Sequence, residues 1–346
     1  MVLVCVFGVG KIVTHMVTQM GYLVPSFEFS EVGAEYRKGG SGMGHYYHGA
    51  RRRGAYFEGW YFKLQTKDGD ALAAIPALHM DAAGRCSASL QVITGNKSWW
   101  LEYPEREFHA LENRFQIQIG KNRFSDQGVW LDVERDGLSL HGTLRCGPLS
   151  PLRSDIMGPF RFFPGMQCAH GVISMAHPIE GTLNLNGRVM DFSGGTGYIE
   201  TDRGRSFPSA YLWTQCGWQG SRRNSLMLSI ASIPLPIGSF TGCICAVLYG
   251  GREYRLATYR GAHIEGWSGS GAAIRQGKYR LEVALLDGRG HPLRAPVEGK
   301  MGRTIRESLC AKGRCRFWVG QSLLFEHTDD YASFEFSDER TGPAER

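Results

Sequence analysis

The sequence predicts an all-β protein built from antiparallel sheets in a barrel or sandwich, and three observations support this prediction. Apolar and polar residues alternate with a period of two over long stretches, for example at 138–144 and 279–285. A strand with one buried and one solvated face produces this alternation. Turn residues interrupt it at intervals of roughly 8–12 residues. Glycine is abundant, at 46 of 346 residues, and supplies the positive φ angles of tight hairpin turns.

The turns themselves have a recognisable chemistry. Aspartate or asparagine followed by glycine favours two-residue hairpin loops, and the sequence offers four such pairs: Asp68-Gly69, Asp136-Gly137, Asn186-Gly187 and Asp287-Gly288. Only the segments 11–21 and 303–311 have a helical pattern, and it is weak in both. The second segment contains Arg303, Arg306 and Glu307, whose charges favour a solvated network of ion pairs.

The length of the chain predicts two domains or one large β architecture. Segment 147–165 carries four prolines, so no single strand can run through it. We therefore place a linker there. The predicted organisation is a poorly ordered or spurious N-terminal extension (1–42), a first β unit (43–150), the linker (151–165), a second β unit (166–338) and a tail (339–346).

The net charge of the chain limits the classes of partner that it is expected to bind. Lysine and arginine number 39 against 33 aspartates and glutamates, a net charge of +6. Nucleic-acid binding needs a denser basic stripe than the single run Arg51-Arg52-Arg53, so no nucleic-acid partner is expected. The same charge permits transient contact with an anionic membrane surface. No stretch reaches the roughly 18 apolar residues of a membrane span. The sequence therefore favours a cytoplasmic protein that can lie at the periphery of a membrane.

The nine cysteines form no recognisable metal or disulfide framework. Their number is odd, and the spacings Cys243-x-Cys245 and Cys310-x4-Cys315 match no zinc pattern. Buried free thiols in a reducing compartment are the expected state. His170 and His177 are too loosely spaced to predict a metal site, and no redox-cofactor motif is present. We expect neither a metal nor a cofactor.

A first chemically distinctive block covers residues 56–63 (YFEGWYFK). On a strand, Glu58 and Trp60 share one face and Tyr61 lies on the other, so both faces are heavily apolar. A carboxylate buried among such residues must be neutralised, paired or hydrogen-bonded. Two interpretations stay open for Glu58. It is either a general acid whose pKa is raised by desolvation, or the partner of a buried arginine such as Arg205.

A second block covers residues 194–216. If the chain is extended there, two sets of side chains each share a face: Tyr198, Glu200 and Asp202, and then Tyr211, Trp213 and Gln215. Arg203 and Arg205 flank the acids. A nearby guanidinium lowers the pKa of a carboxyl group, which favours a structural ion pair for Asp202 over a proton donor. Tyr198 and Trp213 are core aromatics by default.

Together the two blocks resemble the tocopherol cyclase family. Its members carry an early YFEGWYFK-like strand, matched by 56–63, and a later GYxExDxGRSFP segment, matched by 197–208 and followed by Trp213 and Gln215. The segments 168–175 and 303–308 also look like blocks of this family, and the likeness runs from about residue 46 to about residue 336. One departure is Arg203, at a position where the family pattern has tryptophan.

This resemblance implies two lipocalin-like β units, an architecture related to that of carotenoid hydratases. It also implies chemistry on a prenylated quinol. An alkene is protonated, a tertiary cation forms, and the phenol oxygen closes a ring. Such chemistry needs an acid in a dry site and aromatic faces beside the cation. The candidate acids are Glu58, Glu200 and Asp202. The candidate substrate-binding residues are Trp60, Tyr61, Tyr198, Arg205, Tyr211, Trp213 and Gln215.

Two other function classes remain open. A lipocalin-like carrier would bind the same apolar ligand without chemistry, because an aromatic interior serves binding and catalysis alike. A hydratase of an isoprenoid or polyene would add water where the cyclase closes a ring. In all three cases the expected partner is a small apolar, prenylated or polyene molecule.

Overall fold

The computed structural model describes residues 46–163, 166–234 and 238–338. These residues form strands almost throughout, in two large antiparallel sheets, which confirms the all-β prediction. Apart from strands, the described ranges contain three short 3₁₀ helices, Glu105–Glu107, Gly158–Phe162 and Thr258–Arg260. Within these ranges no helix is long and apolar enough to cross a membrane. The predicted extension (1–42), the weak helical pattern at 11–21 and the predicted tail (339–346) lie outside the described residues.

The first sheet contains twelve strands of the described chain. In chain order these are β1 (Tyr56–Gln65), β2 (Ala71–Met80), β3 (Cys86–Thr94), β4 (Ser98–Pro104), β5 (Phe108–Ala110), β6 (Gln116–Ile119), β7 (Asn122–Ser125), β8 (Gly128–Arg135), β9 (Leu138–Cys146), β10 (Cys168–Leu185), β11 (Arg188–Asp191) and β12 (Gly195–Gly204). Their spatial order is β4-β3-β2-β1-β12-β10-β9-β8-β7-β6-β5, and β11 pairs with β10. The last strand in sequence, β12, therefore lies in the middle of the sheet, between β1 and β10.

The second sheet contains ten strands of the described chain. They are β13 (Ala210–Gln219), β14 (Arg223–Pro234), β15 (Ser239–Tyr249), β16 (Arg252–Ala257), β17 (His263–Ser268), β18 (Gly271–Gln276), β19 (Tyr279–Asp287), β20 (His291–Val297), β21 (Lys300–Val319) and β22 (Ser322–Asp338). Their order is β16-β15-β14-β13-β22-β21-β19-β18-β17, and β20 pairs with β21. Segment 303–311, where the sequence has a weak helical pattern, lies within β21.

The two sheets divide at residues 205–209 and not at the predicted linker. Segment 147–167 joins β9 to β10, and both of these strands belong to the first sheet. The prolines do interrupt the strands there, as predicted. However, the chain returns to the same sheet because β10 pairs with β9 on one side and with β12 on the other. Residues 166–204, predicted to belong to the second unit, thus complete the first sheet.

Of the four predicted two-residue turns, two are confirmed, one lies in a longer hairpin loop (66–70) and one is wrong. Asp136-Gly137 and Asn186-Gly187 have positive φ at both residues, the type I′ geometry, and they join β8 to β9 and β10 to β11. Asp68-Gly69 lies in the turn between β1 and β2. Asp287-Gly288 is not a hairpin, because β19 and β20 do not pair with each other. Strand β21 is long enough for both to pair with it, end to end.

Three hydrophobic cores follow from the faces of the strands. Each sheet encloses one core of its own, and a third lies where the two sheets meet. Strand β1 shows the division, since Trp60 and Phe62 enter the core of the first sheet whereas Tyr61 faces the second sheet. Ile156 and Met157, from the segment between β9 and β10, also pack into the third core.

Replacing Phe62 by alanine is expected to lower the free energy of unfolding by about 3–5 kcal/mol, the usual cost of emptying a phenylalanine site. Phe62 is completely buried, and its ring packs against Phe115 and Phe124 with centroids 5.9 and 5.2 Å away. Denaturant unfolding measures the change. The matched control is Phe162→Ala, at a side chain 73% exposed, where a change within about 0.5 kcal/mol is expected. Equal losses in the two variants would contradict the assignment of the core.

Candidate functional site

A cavity of about 180 Å³ lies between the two sheets. The first sheet contributes side chains from β1, β2, β3, β10 and β12 to its wall, and the second contributes them from β13, β14, β15, β20, β21 and β22. Met157 and Phe160, from the segment between β9 and β10, complete the wall. The cavity therefore depends on the packing of both sheets against each other.

Four carboxyl groups line this cavity. Glu200 and Asp202 come from β12, Glu307 from β21 and Glu335 from β22. Alternation along β12 places Glu200 and Asp202 on one face of the strand, as predicted. Glu307 and Glu335 are directly opposite each other in the β21–β22 pairing. Such a concentration of acids in a largely apolar space requires protons, hydrogen bonds or counter-charges.

His170 supplies the counter-charge at one end of the cluster. It is opposite Asp202 in the β10–β12 pairing, and its Nδ1 is 3.0 Å from Asp202 Oδ1. Its Nε2 is 3.4 Å from Glu200 Oε2. Burial alone would lower the pKa of His170, but the Asp202 and Glu200 carboxylates outweigh burial and raise this pKa to about 9. His170 is thus an imidazolium at neutral pH.

Glu200 lies at the centre of the hydrogen-bond network. Its Oε2 accepts a hydrogen bond of 2.5 Å from the Tyr198 hydroxyl and one of 3.2 Å from Trp213 Nε1. Burial raises the pKa of Glu200 to about 7, although His170 and the Tyr198 hydroxyl act in the opposite direction. The two hydrogen-bond donors and the adjacent imidazolium stabilise the anion of Glu200. A buried carboxyl group without such partners would lack this stabilisation.

Glu307 has a weaker set of partners. Its Oε1 accepts a hydrogen bond from the Tyr61 hydroxyl. Burial raises the pKa of Glu307 to about 7, while the Tyr61 hydrogen bond and the positive charge of Lys63 act to lower it. Tyr61 thereby links β1 of the first sheet to β21 of the second across the cavity wall.

Glu335 differs from the other three acids because its Oε1 has no hydrogen-bond partner among the described residues, although the side chain is only 6% exposed. Burial raises the pKa of Glu335 well above the usual value, and the negative charges of Asp202 and Glu200 raise it further. Both causes favour the protonated form of Glu335 over its anion. A carboxyl group of this kind thus lies in the wall of a largely apolar cavity, near Glu200, whose anion receives two hydrogen bonds.

Aromatic rings form much of the remaining wall. Tyr61 and Trp213 meet edge to face with centroids 5.3 Å apart, and Phe207 packs in the same way between Phe57 and Tyr211. Among the described residues, the buried Tyr211 hydroxyl has no hydrogen-bond partner. The site thus combines aromatic rings with polar atoms that have no partner in this part of the chain.

The structure brings most of the predicted site residues together. Glu200, Asp202, Trp60, Tyr61, Tyr211 and Trp213 line the cavity. Tyr198 lies directly behind Glu200 and donates to it. Gln215 is buried on the same face of β13 but outside the cavity wall, and its amide donates to Ser225 Oγ at 3.3 Å.

Glu58 and Arg205 are not part of the site. Glu58 lies on the opposite face of β1 from Tyr61, and it accepts hydrogen bonds from the His48 backbone and from the Tyr56 hydroxyl, both at 2.8 Å. Its other oxygen is 2.7 Å from His48 Nδ1. The pairing of Glu58 with Arg205 is also wrong, because the Arg205 side chain is 56% exposed and lies 4.0 Å from Glu298.

Three residues of the site are not predicted by the sequence: His170, Glu307 and Glu335. The spacing of His170 predicts no metal site and indicates no other role, and the solvated network predicted for Glu307 is wrong because this side chain is 2% exposed. Glu335 lies between Phe334 and Phe336, the same acid-among-aromatics signal that drew attention to Glu58. That signal could have identified Glu335, but local sequence does not show which face of a strand meets the cavity.

One group of cavity residues has the donor set of a metal site. His170, Glu200 and Asp202 each offer one ligand atom, and these atoms lie within 4.8 Å of one another. A metal ion at this place would have to displace the proton that the Asp202 and Glu200 carboxylates favour on His170.

Fold and site together define a two-sheet β protein with a buried acidic cavity at the sheet interface. No family model matches the chain, and no curated protein matches it significantly. The resemblance to tocopherol cyclases therefore stays a prediction.

Solved structures match the architecture. Kievitone hydratase from Nectria haematococca is 10% identical, with 83% of this chain and 89% of that one covered at a TM-score of 0.51. CghA in complex with Sch210972 is 9% identical, with 82% and 88% covered at a TM-score of 0.53. At such identities the likeness establishes a shared fold, in agreement with the predicted lipocalin-like architecture.

Stability is expected to fall as the pH rises from about 6.5 to about 9, because of His170. Its folded-state pKa lies above the unfolded value, so its contribution is complete below pH 6.5 and disappears as the pH passes 9. The loss is at most about 3 kcal/mol, from about 1.4 kcal/mol per unit of pKa shift. Urea unfolding across this range measures it. In His170→Gln this part of the decline should vanish, and an unchanged decline would contradict the assignment.

Proposed function

We propose that the chain is an enzyme that protonates a carbon–carbon double bond of a small apolar, isoprenoid-like substrate and closes a ring through the resulting carbocation. The observation that carries this proposal is Glu335, a carboxyl group at the cavity wall whose burial favours the protonated form and whose Oε1 has no hydrogen-bond partner among the described residues. Protonation of an alkene requires an acid positioned in a space from which water is excluded.

The environment of the acids supports a division of roles. The described residues offer Glu335 no hydrogen-bond donor that would stabilise its anion, so it is suited to carry the proton. Glu200 receives two hydrogen bonds and lies 3.4 Å from His170 Nε2, so its anion is the better stabilised of the two. Environments that drive neighbouring carboxyl groups towards opposite protonation states are characteristic of acid–base catalysis.

The walls suit a cationic intermediate. The faces of Tyr61, Tyr211 and Trp213 can stabilise a positive charge on carbon by cation–π attraction, worth about 2 kcal/mol or more where water is excluded. The carboxylates of Glu200 and Asp202 add a negative potential at the same wall. These groups act on the charge that develops during the reaction and not on the neutral substrate, as catalysis requires.

The proposed step balances as follows. The Glu335 O–H bond breaks, and its proton forms a C–H bond at the less substituted alkene carbon, which leaves a tertiary cation and the Glu335 carboxylate. The oxygen of a hydroxyl group in the substrate attacks the cation and forms a C–O bond. The proton released from that oxygen returns to Glu335. Product and substrate are then isomers, and no co-reactant is consumed.

Hydration is the second candidate, favoured by the shared fold of a protein named as a hydratase. Water would replace the internal hydroxyl group as the nucleophile. His170 Nε2 and the Tyr211 hydroxyl, both buried at the cavity without hydrogen-bond partners, are polar groups that could hold such a water.

Incubation in deuterated water with a prenylated hydroquinone is expected to give a cyclic isomer that carries one non-exchangeable deuterium on the carbon beside the new ether carbon. Mass spectrometry and NMR measure it, and one enantiomer should be in excess because the cavity presents one alkene face to the acid. A tertiary alcohol, heavier by one water, would establish the hydratase alternative. Tight binding of prenyl quinols and polyenes without any conversion would overturn the enzyme proposal in favour of a carrier.

Glu335→Gln is expected to abolish turnover, by at least about 100-fold, while ligand affinity changes little, because the amide keeps the shape and loses the acid. The matched control is Glu58→Gln, a buried glutamate on the other face of β1. That variant should lose about 1–3 kcal/mol of stability from impaired hydrogen bonds and keep its turnover at temperatures where it is folded. Full activity in Glu335→Gln would remove Glu335 from the proposed role.

A further inference from the structure

A second cluster of ligand-type side chains lies inside the second sheet, away from the cavity. Cys216 comes from β13, and His327 and Asp329 come from β22. One atom from each of the three residues lies within 4.8 Å of the other two. The Cys216 thiol donates to Asp329 Oδ2 at 2.9 Å, and His327 Nε2 is 2.7 Å from the same oxygen. None of these residues lines the inter-sheet cavity.

A second thiol lies on the neighbouring strand. Cys315 of β21 is the cross-strand partner of His327, although its sulfur is not among the atoms that lie within 4.8 Å of one another. Cys216 and Cys315 are 5% and 4% exposed, and both line one small void of about 20 Å³, to which His327 and Asp329 do not contribute. Cys315 is therefore the candidate for a fourth ligand, provided that its side chain turns towards the other three.

The partners of these ligands hold them in place. Asp329 Oδ1 accepts a hydrogen bond of 2.9 Å from the Tyr331 backbone, which orients the carboxylate. The His327 ring stacks on Trp218 with centroids 4.5 Å apart and planes at 12°. Contacts of this kind orient metal ligands and are a regular part of metal sites.

We propose that Cys216, Cys315, His327 and Asp329 bind one zinc ion that fastens β13 to β21 and β22. Thiolate, imidazole and carboxylate groups in a four-ligand set suit tetrahedral zinc, and a site closed by four protein ligands is structural. Zinc bond lengths of about 2.0–2.3 Å place neighbouring ligand atoms about 3.3–3.5 Å apart. Cys216 Sγ and His327 Nε2, now 2.9 and 2.7 Å from Asp329 Oδ2, would each move away from that oxygen by roughly 0.6 Å, and the Cys315 side chain would turn towards them. Each coordinating thiol releases its proton on binding.

Charge balance supports the same site. Two thiolates and one carboxylate around Zn²⁺ leave one negative charge. The buried Lys63, whose Nζ donates to the Tyr331 carbonyl at 2.7 Å, acts electrostatically on both Cys216 and Asp329. Burial lowers the pKa of Lys63, and the negative charges of Cys216 and Asp329 act in the opposite direction, so a negatively charged zinc site would favour the ammonium form that offsets its charge.

Cobalt substitution in the full-length protein tests the proposal. The reduced, chelator-treated protein is titrated with Co²⁺, and the expected result is one ion per chain with a thiolate-to-cobalt charge-transfer band and the intense visible bands of tetrahedral cobalt. Zinc should displace the cobalt and raise the melting temperature. Absence of stoichiometric binding, or weak octahedral spectra without the charge-transfer band, would overturn the proposal.

Variants assign the ligands. Cys216→Ser is expected to lose the charge-transfer band and the stabilisation by zinc, whereas the matched control Cys245→Ser, at a buried cysteine of the same core, should keep both. His327→Gln retains both thiols at a partly exposed position and should weaken zinc binding by more than about tenfold, the loss that even outer-shell changes cause. It therefore decides the question if Cys216→Ser does not fold. Unchanged zinc affinity in His327→Gln would contradict the proposed ligand set.

Discussion

The position of β12 between β1 and β10 is the constraint on which the rest of the site depends. Antiparallel pairing on both sides fixes its register, and in a strand the register decides which residues face which way. Glu200 and Asp202 thereby face the second sheet, and His170 lies opposite Asp202. A shift of one residue would exchange these acids with Thr201 and Arg203 and would remove the acidic wall of the cavity.

The second constraint is electrostatic. Four carboxyl groups lie at the interface of two sheets, and three of them, Glu200, Glu307 and Glu335, are buried, so desolvation opposes their negative charge. Three features reduce this cost: the imidazolium of His170, the hydroxyl and indole donors to Glu200 and Glu307, and the burial of Glu335 in an environment that favours its protonated form. The last of these leaves an acid whose Oε1 has no partner among the described residues. The arrangement that makes burial of the cluster tolerable is the same one that suits the cavity to acid catalysis.

The core of each sheet and the interface between the sheets contain different kinds of residue. The inner core of the first sheet is apolar, and Phe62 at its centre shows ordinary aromatic packing. The second sheet encloses cysteines, a histidine and an aspartate from distant strands. The interface between the sheets holds the acids and the aromatic walls. Chemistry at the interface therefore depends on both sheets being folded and packed together. The proposed zinc ion, by linking β13 to β21 and β22, would support the wall that carries Trp213, Glu307 and Glu335.

Local sequence determined the class of fold, because alternation and turn chemistry are properties of neighbouring residues. The Asp136-Gly137 and Asn186-Gly187 turns and the shared face of Tyr198 and Glu200 are of this kind. Local sequence did not determine where the chain passes from the first sheet to the second. Prolines between 147 and 165 end a strand, but only the pairing partners of β10 decide which sheet the chain enters next.

The same distinction governs the site. A strand has two faces, and the sequence could not say which face of β1 meets the cavity, so Glu58 and Tyr61 were equal candidates. Glu307 and Glu335 lie far from β12 in sequence and reach Glu200 only because β13 and β22 bring the second sheet against the first. The raised pKa of Glu335 has the same origin, because it depends on burial at the interface and on the charges of Asp202 and Glu200 in the other sheet, which no local pattern encodes.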